Sequence, residues 1–286
     1  MVKSYRVPPL FAPCSVGQFL KEQGYSSSML KRLRKEGGVS VNGSFRRNID
    51  PVKAGDVITV DFPDKAPVLP PNGDLGISVV FENDDLLIFE KPDDILVHPA
   101  TRDFNDALGN YFSYLHPGIP FRPLGRLDRH TTGLCLIAKN RLTAVKLGSA
   151  IEKDYFAITQ GIIEEDRGTV NAPLLRVGGS VIQRKVDPAG QPSVTHYQVL
   201  ARGHKHTLLK LRLETGRTHQ IRVHMAHLGH PLAGDTLYGG DTQYIRRQAL
   251  HCGIMSFFHQ GQAHVISSPL PRDMKALVSI MKSQKN

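Results

Sequence analysis

A short charged loop directly before a long apolar run is the feature that most constrains this 286-residue chain. The apolar run, residues 134–138, has the composition of a buried β-strand. Before it, Asp128 stands between Arg126 and Arg129, and residues 131–133 form a Thr-Thr-Gly turn. A loop fixed at the start of a core strand is a rigid platform, which a catalytic group requires. We therefore interpret Asp128 as a candidate catalytic carboxylate, against the alternative of an aspartate that only caps a turn.

The loop resembles the catalytic motif of the RluA-type pseudouridine synthases, which reads Arg-Leu-Asp, a variable residue, Thr, Ser or Thr, Gly, Leu. Other segments resemble further motifs of that family in the expected order: 90–92, 97–99, 215–224, 234–239 and 247–251. The similarity covers about residues 79–275. It implies an RNA pseudouridine synthase, an isomerase acting on uridines of structured RNA. Large-subunit ribosomal RNA is the expected substrate, and transfer RNA is the alternative.

The resemblance also implies roles for individual residues. Asp128 attacks the ribose C1′ or, in a competing account, assists departure of the base while a glycal forms; the sequence leaves both open. Arg222 pairs with Asp128 and stabilises its charged form. Tyr155 stacks on the uracil and stands near the reacting atoms. Arg126 fills the space left by the extracted base, whereas Arg129 is expected to be an ordinary surface charge.

The implied reaction moves a bond from N1 to C5 of uracil with no net redox change, so no cofactor and no metal are expected. Four histidines at short spacing raise the alternative of a zinc site: His219, His224, His227 and His230. These histidines lie among arginines, and no glutamate stands beside a His-x-x-x-His pair. We therefore expect RNA contacts or packing from them rather than metal binding.

The first quarter of the chain predicts a small separate module over residues 14–63. Ser15 and residues 26–28 mark two helix starts, and Asn42-Gly43 marks a hairpin turn. The order of these signals resembles the S4-like RNA-binding domain. By that resemblance the basic second helix contacts RNA phosphates, through the following side chains: Lys31, Arg32, Arg34 and Lys35.

Charge is consistent with that interpretation. The chain carries a formal net charge of +10, and residues 1–64 contain ten Lys or Arg and six Asp or Glu. A basic protein favours polyanions, and nucleic acid is the first candidate. A solvated helix face is the alternative explanation for the basic cluster.

The remaining pattern predicts an α+β fold with a mostly antiparallel mixed sheet in a catalytic domain over residues 79–280, after a linker at 64–78. Within that domain we expect helices at residues 103–115 and from Asn140 to about residue 151, a strand at residues 153–160, and Cys135 in the core. Three unpaired cysteines and the lack of a secretory signal favour a cytoplasmic location. No apolar run is long enough for a membrane span. A monomer is the expected oligomeric state. Two rival functions are a non-catalytic RNA-binding or ribosome-assembly protein on the same scaffold and a phosphatase with an aspartate nucleophile. The non-catalytic RNA-binding protein could lack Asp128, Tyr155 or Arg222, but all three are present. The phosphatase would need phosphate and magnesium ligands, and the sequence shows no such set.

Overall fold

The computed structural model describes residues 2–9, 13–61, 68–100, 105–148 and 150–283. Its strands are β1 (Val2–Arg6), β2 (Cys14–Ser15), β3 (Val39–Val41), β4 (Ser44–Phe45), β5 (Pro51–Val52), β6 (Val57–Asp61), β7 (Val79–Glu82), β8 (Leu86–Lys91), β9 (Thr132–Ala138), β10 (Glu152–Gln160), β11 (Arg167–Asn171), β12 (Leu174–Arg176), β13 (Arg184–Val186), β14 (Val194–Arg202), β15 (His206–Leu213), β16 (Leu250–His259) and β17 (Gln262–Ser267). Its helices are α1 (Val16–Glu22), α2 (Ser27–Glu36), α3 (Leu108–Leu115), α4 (Arg141–Leu147), α5 (Gln220–His227) and α6 (Arg272–Ser283), with a 3-10 turn at Thr236–Tyr238.

Nine strands form one mixed sheet in the order β11-β14-β15-β10-β16-β9-β8-β7, with β17 also paired to β16. Within the described ranges its strand pairs are antiparallel except for β9 and β16, which run parallel. The predicted α+β fold with a mostly antiparallel sheet is therefore confirmed.

The core of this sheet lies around β8 and β9. Every residue of β9 is buried, including Cys135, which fills the core as predicted. The core also receives side chains from three helices, among them Phe112, Leu147 and Ile221. A strand that is buried along its whole length holds the loop before it rigidly, and that loop carries Asp128.

The N-terminal residues form a four-stranded sheet, β1-β6-β3-β4, with α1 and α2 beside it. Ser15 and Ser26 accept hydrogen bonds from the first turns of α1 and α2, as the sequence predicts. β1 also belongs to this sheet, so the module extends outside the expected range of 14–63. Its hydrophobic core includes Leu142 of α4, which packs the module against the catalytic part of the chain.

Some predicted elements are shorter than expected. The helix expected at 103–115 is observed as α3, and residues 103 and 104 lie outside the described ranges. The helix expected from Asn140 to about 151 ends at Leu147. Part of the expected linker, residues 64–67, also lies outside the described ranges. Among the described helices, none combines the length and the apolar character that crossing a membrane requires.

Candidate active site

The loop before β9 can take its position because residue 133 is glycine. Gly133 has a φ of 110°, and a Cβ built on it would lie 2.3 Å from the carbonyl oxygen of Cys252. Only glycine permits this backbone conformation and this close approach. The parallel contact between β9 and β16 therefore depends on Gly133. The turn predicted at residues 131–133 lies earlier in the chain: Thr131 N donates to the Asp128 carbonyl and closes a turn over residues 128–131, and β9 already begins at Thr132.

Cations fix the backbone of this loop through its carbonyl groups. Lys153 donates to the carbonyl of Leu124, and Lys91 donates to that of Arg129, each at 2.8 Å. Arg247 donates to the next carbonyl, that of His130, at 3.1 Å. Burial lowers the pKa of Lys91 to about 8, so it is still mostly protonated at neutral pH. The loop backbone is thus held on both sides of Asp128.

Arg222 connects Asp128 to a second carboxylate. Its Nη1 donates to Asp128 Oδ2 at 3.3 Å, while Nε and Nη2 donate to the two oxygens of Asp235 at 2.7 and 2.8 Å. Asp235 is 1% exposed at its side chain and Arg222 is 7% exposed, whereas Asp128 is 26% exposed. The two hydrogen bonds to Asp235 therefore orient the guanidinium of Arg222. Its third nitrogen, Nη1, donates to Asp128 on the accessible side of the site.

His219 and Tyr238 complete the surroundings of Asp128. Nε2 of His219 lies 3.8 Å from Asp128 Oδ2, and its Nδ1 lies 2.9 Å from the Tyr238 hydroxyl. The guanidinium of Arg222 lies over the Tyr238 ring at 5.0 Å. Burial lowers the pKa of His219, with Arg222 acting in the same direction, although Asp128 and Asp235 oppose the shift. His219 is consequently neutral at physiological pH.

Tyr155 is buried beside this group on β10, opposite Cys252 of β16. The pairing of β10 with β16 shifts register between Asp154 and Tyr155, and such bulges redirect side chains. Burial raises the pKa of Tyr155 well above its ordinary value, and the neighbouring Cys252 and Asp128 act in the same direction. The phenol therefore carries its proton throughout the physiological range.

The two arginines of the loop differ. Arg126 is exposed, and its charge lowers the pKa of His98, where burial is the larger cause. Arg129 pairs at 2.6 Å with Asp94, and both side chains are about half exposed or more. Asp93 pairs with His130 at 3.0 Å. The two acids after Lys91-Pro92 therefore bind the loop from its outer side.

The four histidines considered for zinc do not converge. His224 bonds to Thr195 and to the carbonyl of Ala172, and His230 lies 2.9 Å from the carbonyl of Gln160. In the described ranges no three His, Cys, Asp or Glu residues are grouped as metal ligands.

Sequence reasoning brought Asp128, Arg222 and Tyr155 together, and the structure places them at one site. It gave no role to Asp235 or Tyr238 and expected only RNA contact or packing from His219, although all three lie in segments that resemble family motifs. In the sequence, Asp235 could have been singled out as the one charged residue of the segment 234–239, which resembles a family motif. Lys31, Arg32, Arg34 and Lys35 lie in the N-terminal module on α2, apart from this site in the chain.

Known proteins resemble this chain along most of its length. A family model described as RNA pseudouridylate synthase matches residues 85–227. An uncharacterized RNA pseudouridine synthase of Bacillus subtilis (strain 168), YhcT, is 39% identical over 79% of each chain. The chain belongs to the RNA pseudouridylate synthase family. It is an RluA-type RNA pseudouridine synthase, and its activity is that of an isomerase.

Further relatives of this pseudouridine synthase carry more specific names. The ribosomal large subunit pseudouridine synthase D of Pasteurella multocida (strain Pm70) is 37% identical over 91% of this chain and 88% of its own. The structure of human RNA pseudouridylate synthase domain containing 1 covers 76% of this chain and 99% of its own, with a TM-score of 0.59 and 24% identity. That structure shares the fold.

Proposed function

We propose that this enzyme isomerises uridines of large-subunit ribosomal RNA and that Asp128 is its catalytic carboxylate. The geometry of Asp128 carries the proposal: the carboxylate is accessible, its backbone is fixed, and Arg222 holds one of its oxygens at 3.3 Å. A charged group that is rigidly placed but still open to substrate suits chemistry at a ribose C1′.

The reaction allows two alternative roles for Asp128. The bond from N1 to C1′ breaks with its electron pair on uracil, the base turns, C5 bonds to C1′ and loses its proton to solvent, and N1 takes up a proton. Asp128 serves either by attacking C1′, forming an ester that C5 later displaces, or by assisting departure of the base while C2′ loses a proton, which C2′ regains when C5 bonds to C1′. Both routes use an ionised carboxylate beside the sugar. Tyr155, with its protonated phenol, suits stacking on the uracil.

Asp128→Asn tests the assignment. The asparagine keeps the size of the side chain and removes its charge, so isomerisation should fall by at least about 10³-fold while RNA binding persists. The assay is tritium release from RNA labelled at C5 of uridine. Asp94→Asn changes an exposed acid beside the same loop and should keep the wild-type rate. A wild-type rate for Asp128→Asn would refute the role of Asp128.

The proposed substrate follows from the relatives, several of which are named ribosomal large subunit pseudouridine synthase D and are 34–37% identical. Mapping pseudouridines in total RNA from cells with and without the gene tests this point. Loss of sites from large-subunit ribosomal RNA is expected. Loss confined to transfer RNA would establish the alternative substrate, and no loss in any RNA would contradict both.

The N-terminal module is proposed to be S4-like and to bind RNA phosphates through α2. Lys31, Arg34 and Lys35 are exposed there, and Arg32 is partly buried. Changing Lys31, Arg34 and Lys35 to Gln should weaken RNA binding and lower the slope of log K against log salt by about 3. A matched triple on α6, Arg272, Lys275 and Lys282 to Gln, is the control. Equal slopes for the two triples would contradict the module's role.

Arg126 is proposed to enter the space left by the extracted uridine. It is exposed beside Asp128, and a planar guanidinium stacks as a base does. Arg126→Lys keeps the charge and loses the plane, so it should slow isomerisation of duplex RNA more than that of a single-stranded oligonucleotide. Equal slowing on both substrates would refute this role.

A further inference from the structure

The two partners of the Asp128 carboxylate meet on the same oxygen. Arg222 Nη1 lies 3.3 Å and His219 Nε2 lies 3.8 Å from Oδ2. In the part of the chain that the structure describes, no hydrogen bond or ion pair reaches Oδ1. One carboxylate oxygen is therefore committed to the protein, and the other is left to the substrate.

His219 has a backbone conformation that is unfavourable for a non-glycine residue. Its φ is 58°, in the left-handed region that non-glycine residues seldom occupy, and it directly precedes α5. Its ring is also fixed, because Nδ1 lies 2.9 Å from Tyr238 Oη and the two rings meet edge to face. A residue held in an uncommon backbone conformation next to a reacting group indicates a functional constraint.

Tyr238 is the hydrogen-bond partner of Nδ1 of His219. The backbone N–H of Arg184 donates to Tyr238 Oη at 3.0 Å. Because the phenol oxygen already accepts that bond, its own hydrogen is available to Nδ1 of His219. A neutral imidazole that accepts at Nδ1 carries its single hydrogen on Nε2, the atom that faces Asp128.

We propose that His219 is a positioning residue for Asp128: Tyr238 holds it as the Nε2–H tautomer, and this hydrogen fixes Oδ2 so that Oδ1 faces the ribose. The distance of 3.8 Å is longer than a hydrogen bond, and such distances commonly shorten when substrate closes a site. The inference rests on the proposed role of Asp128. It adds an interaction that the pairing with Arg222 does not supply.

Two substitutions at His219 separate this role from packing. Glutamine places an amide N–H near the position of Nε2, whereas asparagine places it near Nδ1. His219→Gln should keep the single-turnover rate within about threefold of wild type, and His219→Asn should lower it at least about tenfold, the value of one hydrogen bond to a charged group. RNA affinity should stay unchanged in both. His204→Gln, an exposed histidine between β14 and β15, is the control.

Tyr238→Phe supplies the second measurement and keeps the ring under Arg222. In the wild-type background it frees the tautomer of His219 and should slow the reaction. Combined with His219→Gln it should have no further effect, because an amide has no tautomer to fix. Rates are measured as tritium release from total RNA of a deletion strain labelled at C5 of uridine, alongside Asp128→Asn.

The outcomes separate the two levels of the argument. An active Asp128→Asn enzyme would overturn the proposed function. An inactive Asp128→Asn enzyme together with a wild-type rate for His219→Asn, or with equal slowing by His219→Asn and His219→Gln, would overturn the inference alone. Should His219→Asn fail to fold, equal slowing by Tyr238→Phe in both backgrounds would overturn the inference in its place.

Discussion

Replacing Asp235 by asparagine removes one charge from the buried ion pair that orients Arg222. The pair has two short hydrogen bonds, at 2.7 and 2.8 Å, and its side chains are 7% and 1% exposed. Because water scarcely reaches these groups, the value needs no reduction for solvent screening. Removing one partner of a buried pair costs about 3–5 kcal/mol, and asparagine keeps one acceptor, so about 3 kcal/mol is expected. For a chain of this size that corresponds to a melting temperature lower by about 6–12 °C.

Calorimetry of Asp235→Asn beside Asp94→Asn measures this effect. Asp94 also pairs with an arginine, Arg129, but the two side chains are 63% and 49% exposed. An exposed pair is worth about 0–1 kcal/mol, and asparagine tolerates the left-handed φ of 60° at position 94. If both variants lowered the melting temperature equally, the reasoning from burial would be wrong.

Three other perturbations probe other parts of the fold. Gly133→Ala should destabilise the catalytic sheet by more than about 3 kcal/mol because of its φ and the close Cys252 carbonyl, whereas Gly178→Ala, with open space around it, should stay within about 1 kcal/mol; equal unfolding free energies would refute this. Burial lowers the pKa of His251 to about 4, so its contribution to stability is present above about pH 6.5 and lost as pH falls to 4. His251→Asn should remove about 3 kcal/mol of this pH dependence from the free energy of unfolding. An unchanged dependence of the unfolding free energy on pH would contradict it. Leu142→Ala should lower the opening free energy of amides in the N-terminal module by about 2–4 kcal/mol in hydrogen exchange, and unchanged protection there would show that α4 does not support the module.

Local patterns predicted the elements that carry a clear period or cap. β9 contains the apolar run 134–138 and β10 the apolar run 155–158, and Ser15 and Ser26 begin α1 and α2 with their side chains. α5 shows why other elements escaped prediction. Its residues 220–225 are all buried, polar and apolar alike, so it has no apolar stripe against a polar face and no periodic signal. β1 escaped for a related reason, since an edge strand with alternating exposure and few apolar residues resembles a loop.

The partners of the candidate site depend on contacts that sequence patterns do not encode. Arg222 and Asp128 are 94 residues apart, and Thr132 meets His251 across 119 residues. The resemblance to a family supplied the first of these pairs. The second carboxylate on Arg222 followed only from the fold, because a lone acid in the segment 234–239 does not by itself indicate which cation it pairs with.

The cations around the catalytic loop divide into two kinds, and the division explains how one carboxylate stays both fixed and available. Lys153, Lys91 and Arg247 bind backbone carbonyls at Leu124, Arg129 and His130, so they hold the loop without touching the Asp128 side chain. Arg222 reaches the side chain, but two of its donors are already taken by Asp235. Had all the positive charge faced Asp128 directly, the carboxylate would be closed by bidentate pairing. Binding the backbone instead fixes the position of the acid and leaves one of its oxygens without a protein partner among the described residues.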